Sequence, residues 1–226
     1  MLNNLKNIVG VIFSPSKTFQ SIKERPNILT PFVVNVVGMV AITIILSDRF
    51  SELIKITLPG NMESSVTKIF TGIGLVILII GLGISWMFKT LLLWLTSQLF
   101  NAKVSFKHIL SLVSYSSMIL FLKNILELVL IFITKFDKIK SWSDIQFAFG
   151  LDMFISPQNT NPFLYALLSK INMFSIWFLI ILIIGTSIIC EFRKTKASLV
   201  AGFVWFFCLL IEVCFAYLRG QYVGLK

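Results

Sequence analysis

The sequence has little of what soluble enzymes and metalloproteins are built from. Only 13% of its 226 residues are charged, and it contains one histidine, His108, and three cysteines. Soluble globular domains carry about 25% charged residues, so this composition excludes an ordinary soluble domain. Cys190, Cys208 and Cys214 follow neither a metal-ligand spacing nor a disulfide framework, and one histidine cannot build a multi-histidine site. We therefore expect neither a metal nor a cofactor.

Sequence motifs of catalysis are missing as well. The chain has no Walker-type phosphate loop, no His-Glu-x-x-His and no Gly-x-Ser-x-Gly. His108 stands alone, which leaves no convincing serine–histidine pair, and we expect it to be an ordinary residue at a membrane interface. The sequence therefore predicts no catalytic residues and no enzymatic activity.

Long apolar runs dominate what is present. Hydrophobic residues make up 57% of the chain, and the mean hydropathy is +0.90. A helix needs ~20 apolar residues to cross ~30 Å of hydrocarbon. Five runs approach or exceed that length, at about 28–46, 69–100, 106–134, 171–190 and 198–218. We predict an all-α fold, a single polytopic membrane bundle of five transmembrane helices that occupies residues 1–226.

The segment before the first span has the pattern of an interfacial helix. Leu5, Ile8, Ile12 and Phe13 recur at helical spacing, and Ser14-Pro15 is typical of a new helix start. The segment is too short to span a bilayer. It also does not look like a cleaved signal peptide, because a polar stretch precedes the first long apolar run. We expect residues 1–27 to lie along the cytoplasmic membrane face.

The net charge of +10 would suggest a nucleic-acid ligand in a soluble protein, but here membrane topology explains it better. With a cytoplasmic N-terminus, the inner segments hold nine Lys and Arg against two acidic residues, and the outer segments hold eight against six. The inner loops are short and densely basic, as cytoplasmic loops are. We predict a cell-membrane protein with the N-terminus cytoplasmic and the C-terminus outside. Anionic lipid is an expected partner and nucleic acid is not.

Small residues form stripes on two of the predicted helices. Gly74, Gly81 and Ser85 share one face of the second span with Lys89, and Gly202 lies on a stripe of the fifth span with Glu212. Small side chains let another membrane helix approach closely. We expect these faces to pack against protein rather than lipid.

Four charged residues lie within the predicted spans: Lys89, Lys123, Glu127 and Glu212. A charge near the bilayer centre costs at least ~2.5 kcal/mol, so it normally takes a partner or faces water. Lys123 and Glu127 are four residues apart on one helix and can pair. Glu212 lies at about the same depth as Glu127, so it could share Lys123, whereas Lys170 is expected to snorkel to the interface. These charges can either lock helices together or form a polar transport path.

As a whole, the pattern resembles the Yip family, the Ypt/Rab-interacting membrane proteins, in its bacterial branch. The resemblance is carried by Phe13-Ser14-Pro15-Ser16-Lys17-Thr18-Phe19, by Val104-Ser105-Phe106-Lys107-His108-Ile109-Leu110, by Phe174-Ser175-Ile176-Trp177 with Gly185, and by Lys194-Thr195-Lys196-Ala197. It implies a five-helix membrane domain with a cytoplasmic N-terminus and no established catalytic activity.

Three functions stay open at this point. Several bacterial relatives resemble accessory subunits of ABC exporters that confer resistance to antimicrobial peptides, which implies other integral membrane proteins as partners. The intramembrane charges would alternatively serve an independent transporter or channel for ions or small solutes, and a homo-oligomer could supply its symmetry. The N-terminal helix would serve a membrane-organising, lipid-binding protein.

Overall fold

A computed structural model describes residues 2–57, 64–133, 149–155 and 160–222. The elements of these ranges are nine α-helices and a short 3-10 helix, Leu151–Phe154. The α-helices are α1 Leu2–Phe13, α2 Pro15–Glu24, α3 Leu29–Thr57, α4 Ser64–Leu99, α5 Phe106–Ser116, α6 Met118–Ile133, α7 Pro162–Lys170, α8 Met173–Ile189 and α9 Lys194–Tyr222.

Four apolar stretches of these helices are long enough to cross a membrane: Leu29–Leu46, Gly72–Leu99, Phe106–Ile133 and Lys194–Leu218. They correspond to four of the predicted spans. The remaining one, at 171–190, is the apolar helix α8, whose 17 residues measure about 25 Å. That length is at the short limit for a transmembrane helix. The polytopic helical bundle is confirmed, and the total of five spans stays a prediction.

The third span is two helices rather than one. α5 ends at Ser116 and α6 begins at Met118. The Ser117 hydroxyl donates to the carbonyl of Val113 at 2.8 Å, and the Ser114 hydroxyl donates to that of Ser111 at 2.9 Å. Serine side chains that bond to the preceding turn tend to bend helices, which explains why a continuous apolar run is interrupted here.

The fourth span begins later than predicted and has a helix in front of it. Asn172 caps α8, because its Oδ1 accepts from the backbone N–H groups of Phe174 and Ser175 at 3.1 and 3.0 Å. The preceding α7 packs along α9, where the Phe163 and Tyr217 rings meet edge to face with centroids 6.1 Å apart. α7 and α8 together therefore accompany α9 over most of its length.

The N-terminal helices dock on the bundle through part of their apolar side. Phe19 and Ile22 of α2 are fully buried in the main core, and Ile8 and Ile12 of α1 pack against it. Leu5 and Phe13 point outward, with 48% and 79% of their surface exposed. The predicted helix break at Ser14-Pro15 is present. Membrane contact through the outward face of α1 stays a prediction.

Close packing between bundle helices occurs at Gly185 and Gly38, which the small-residue stripes do not include. A Cβ atom on Gly185 of α8 would overlap Leu112 of α5 and lie 3.0 Å from the Phe19 ring of α2. A Cβ on Gly38 of α3 would overlap the Phe121 ring of α6. Gly185 thus lets three helices meet.

The loops predicted to be basic lie together at one end of the bundle. Lys23 at the end of α2 forms an ion pair of 2.5 Å with Glu191 in the α8–α9 turn, and the Lys196 ammonium donates to the Phe100 carbonyl after α4 at 2.6 Å. We call this end, which includes residues 20–25, 99–108 and 190–196, the basic end. The opposite end, towards Tyr222, is the far end.

Candidate functional site

The most charged contact between membrane helices joins α4 to α9. Lys196 near the start of α9 contacts Phe100 just beyond α4, whereas Glu212 later in α9 contacts Lys89 earlier in α4, so the two helices run antiparallel. Side chains tilt towards the N-terminus of their own helix. Lys89 and Glu212 therefore lean towards each other, and Lys89 Nζ lies 3.6 Å from Glu212 Oε1.

A second lysine completes this contact. Lys170 is the last residue of α7, and its Nζ lies 3.8 Å from Glu212 Oε2. The sequence predicts only that Lys170 snorkels to the interface; the end of α7 also places it beside α9, in contact with Glu212. Glu212 is thus held between two cations from different helices. We call Lys89, Lys170 and Glu212 the Glu212 cluster.

The cluster is open on one side and carries an excess of positive charge. The side chain of Lys89 is 15% exposed, that of Lys170 39% and that of Glu212 47%. The Phe178 ring of α8 lies on the buried side, its centroid 5.8 Å from Lys89 Nζ. Two ammonium groups face one carboxylate, so the formal charge is +1. Within the ranges that the structure describes, no other carboxylate forms an ion pair with these two lysines.

The remaining intramembrane charges form a separate pair. Lys123 Nζ lies 3.1 Å from Glu127 Oε1 along α6, and each side chain is 28% exposed. This is the pairing that the four-residue spacing predicts. The alternative in which Glu212 shares Lys123 is wrong, because Glu212 contacts the lysines of α4 and α7 instead.

The three glycines among the predicted helix-packing residues have open space beside them in the described part of the chain. A Cβ on Gly74, Gly81 or Gly202 would meet no atom within 4 Å among the described residues. Along α4, no residue from 72 to 85 is buried in the described part of the chain, and Trp86 is the first buried one. These surfaces are accessible to lipid or to another polypeptide.

The chemistry that this arrangement offers is electrostatic: two ammonium groups beside one carboxylate. The part of the chain that the structure describes contains no group of three or more metal-ligating side chains. Two cavities lie elsewhere. An apolar groove of about 260 Å³ runs along α9 from Phe207 to Leu218, and a cleft of about 740 Å³ at the basic end is lined by residues that include Lys23 and Glu191. Neither of them reaches the Glu212 cluster.

The sequence alone identified Lys89 and Glu212 as candidate residues, but it did not predict that they form an ion pair with each other. Lys170 was missed because its role depends on α7, a nine-residue helix too short to be predicted from apolar periodicity. A usable signal was present: Asn161-Pro162 marks a helix start, and Lys170 precedes Asn172, which caps the next helix.

Comparison with protein families matches the Yip1 domain to residues 9–215, nearly the whole chain. Comparisons with curated proteins and with solved structures find no match.

Proposed function

Because the chain belongs to the Yip1 domain family, membrane proteins not known to be enzymes, we propose that it is a non-enzymatic accessory subunit of a larger membrane complex. The proposed mechanism is association: helices of this chain pack against those of another integral membrane protein and hold it in place or in a particular state.

The observation that carries this proposal is the open face of α4. Gly74, Gly81 and Ser85 form a small-residue stripe, and added Cβ atoms on the two glycines would meet nothing within 4 Å in the described chain. Apolar side chains are as well solvated by lipid tails as by one another, so lipid exposure alone explains large side chains on this helix. It does not explain a stripe of small ones, whose advantage is the close approach of another helix backbone.

An ABC exporter active against antimicrobial peptides is the partner that we propose. Its support is the resemblance to bacterial accessory subunits of such exporters. The predicted orientation, with the basic end in the cytoplasm, would put 72–85 of α4 towards the outer side of the membrane.

The arrangement of the charges favours this role over independent transport. Lys123 and Glu127 satisfy each other on α6, and Glu212 joins α4, α7 and α9 at a different place. A transport path would need these groups to follow one another along a polar route. Paired charges between helices instead stabilise the bundle that presents α4.

The test is purification of a tagged chain from its native membrane in mild detergent, with mass spectrometry of the accompanying proteins. We expect an ATPase and a permease to accompany the chain, and Gly81→Leu to reduce their recovery. The matched control is Gly83→Leu, because a Cβ on Gly83 also meets nothing within 4 Å but points about 160° around the helix from Gly81. Recovery of this chain alone, or equal losses with both variants, would contradict the proposal.

A further inference from the structure

We propose that the Glu212 cluster binds the phosphodiester headgroup of an anionic phospholipid. The inference does not depend on the accessory role, although Lys89 lies on the same face of α4 as the small-residue stripe. Lys89 and Lys170 supply two ammonium groups, and Glu212 neutralises only one of them. A positive site near a membrane surface attracts anionic headgroups, at about 1 kcal/mol per Lys or Arg. A lipid headgroup with one net negative charge brings the site to neutrality.

The length of α8 places the cluster at the local membrane boundary. α8 begins at Met173, beside the cluster, and its apolar length of about 25 Å is roughly 5 Å less than the hydrocarbon core. A bilayer adapts to a short apolar helix by thinning around it. The headgroups would therefore reach the level of Lys170, although α9 continues about 9 Å further to Leu218.

Next to Lys170 the backbone is not helical, so some of its polar groups have partners outside α7, in the way expected at a membrane boundary. The chain leaves helical geometry at Ile171–Asn172, and the backbone N–H of Leu151 donates to the Ile171 carbonyl at 3.4 Å. Irregular backbone at membrane depth is tolerated where protein or polar groups satisfy it. A headgroup bound here would meet polar surroundings rather than acyl chains.

The cluster is accessible from the lipid. Lys170 and Glu212 expose 39% and 47% of their side chains, and the exposed apolar side chains of Phe203, Phe206 and Phe207 on α9 lie between the cluster and the basic end. A phospholipid can bind with its headgroup at the cluster and its acyl chains along this apolar face. A free phosphate ion has the same charge chemistry but would gain nothing from those faces.

The test titrates the purified chain with phosphatidylglycerol in detergent and counts bound lipid by native mass spectrometry. Phosphatidylcholine and inorganic phosphate are titrated in parallel. The informative variants are Lys170→Gln, Lys170→Arg and Glu212→Gln. Lys23→Gln and Glu191→Gln are the matched controls, since they remove the same charges from the ion pair at the basic end.

We expect saturable binding of phosphatidylglycerol that phosphatidylcholine does not reproduce. Lys170→Gln should weaken it roughly fivefold, the effect of one cation near a membrane surface, and Lys170→Arg should retain it. Glu212→Gln should strengthen it, which a merely structural ion pair would not do. The controls should leave the affinity unchanged.

Three results would overturn the proposal. Weaker or unchanged lipid binding in Glu212→Gln would show that the Glu212 carboxylate does not repel a bound phosphate group. Equal effects of the controls would show a general response to net charge. Displacement of the lipid by inorganic phosphate would show that a free anion occupies the site.

Discussion

Gly185 is where the docking of the N-terminal helices can be tested quantitatively. The perturbation is Gly185→Ala, which adds one methyl group between α2, α5 and α8. That methyl would overlap Leu112 and lie 3.0 Å from the Phe19 ring. Both neighbours are fully buried in the main core, so a shift of either side chain has to move other core residues as well.

Two opposing contributions set the size of the effect. Replacing a helical glycine by alanine gains up to about 1 kcal/mol of helix propensity. Forcing an additional methyl into a filled core costs about 1–3 kcal/mol. Since the overlap involves two helices besides α8, we expect the cost to exceed the gain, with a net loss of about 1–2 kcal/mol. For a chain of this size that corresponds to a lower Tm by about 2–8 °C.

The assay is thermal unfolding in detergent, combined with limited trypsin digestion at the lysines of α2. Cleavage there should accelerate in Gly185→Ala, because the clash falls on Phe19. Gly202→Ala is the control, since its Cβ meets nothing within 4 Å and should leave Tm equal or slightly higher. If Gly185→Ala matches Gly202→Ala in both measurements, α2 does not dock against Gly185.

Three further predictions concern ion pairs and turns. Unfolding of Lys89→Met, Glu212→Gln and the double variant should show a coupling of about 0.5–1.5 kcal/mol, whereas additive losses would contradict the pair. The Lys23 ammonium, by its hydrogen bond and its charge, holds the pKa of Glu191 below its usual range. This contribution to stability should be complete above the ordinary glutamate range and be lost as pH falls through the lowered pKa. Glu191→Gln should remove that part of the acid sensitivity in a Tm-versus-pH series, and an unchanged profile would contradict it. Asn101 has φ 61°, so Asn101→Val should cost about 1–2 kcal/mol in unfolding measurements and Asn101→Gly almost none; equal losses would refute the strain argument.

Most of the helices could be predicted from the sequence because a membrane span requires a long run of apolar residues, which the sequence shows directly. A long apolar run within a membrane has to form a helix, so the predicted spans 69–100 and 198–218 coincide well with α4 and α9. The interruptions between helices were harder to predict. The interruption at Ser117 depends on which carbonyl a serine hydroxyl selects, and α7 is stabilised by packing on α9 rather than by its own pattern.

Contacts between helices were predicted less well, for physical reasons. Lys123 and Glu127 pair because their separation along one helix fixes their distance. The partners of Glu212 depend on which helices are neighbours, and depth alone cannot distinguish Lys123 from Lys89. The glycine stripes show the same limit. Sequence identifies a surface that permits close approach, but Gly185 is filled by this chain and Gly81 is left open.

The most direct test of the accessory role is photo-crosslinking in the native membrane from Ser85, on the small-residue stripe of α4. The comparison position is Met87, which is half-exposed and lies about 160° around the same helix. We predict that a photoreactive residue at 85 crosslinks to a different membrane polypeptide, while one at 87 gives mainly lipid products. Crosslinks from position 85 to lipid alone, or to a second copy of this chain, would contradict the accessory role.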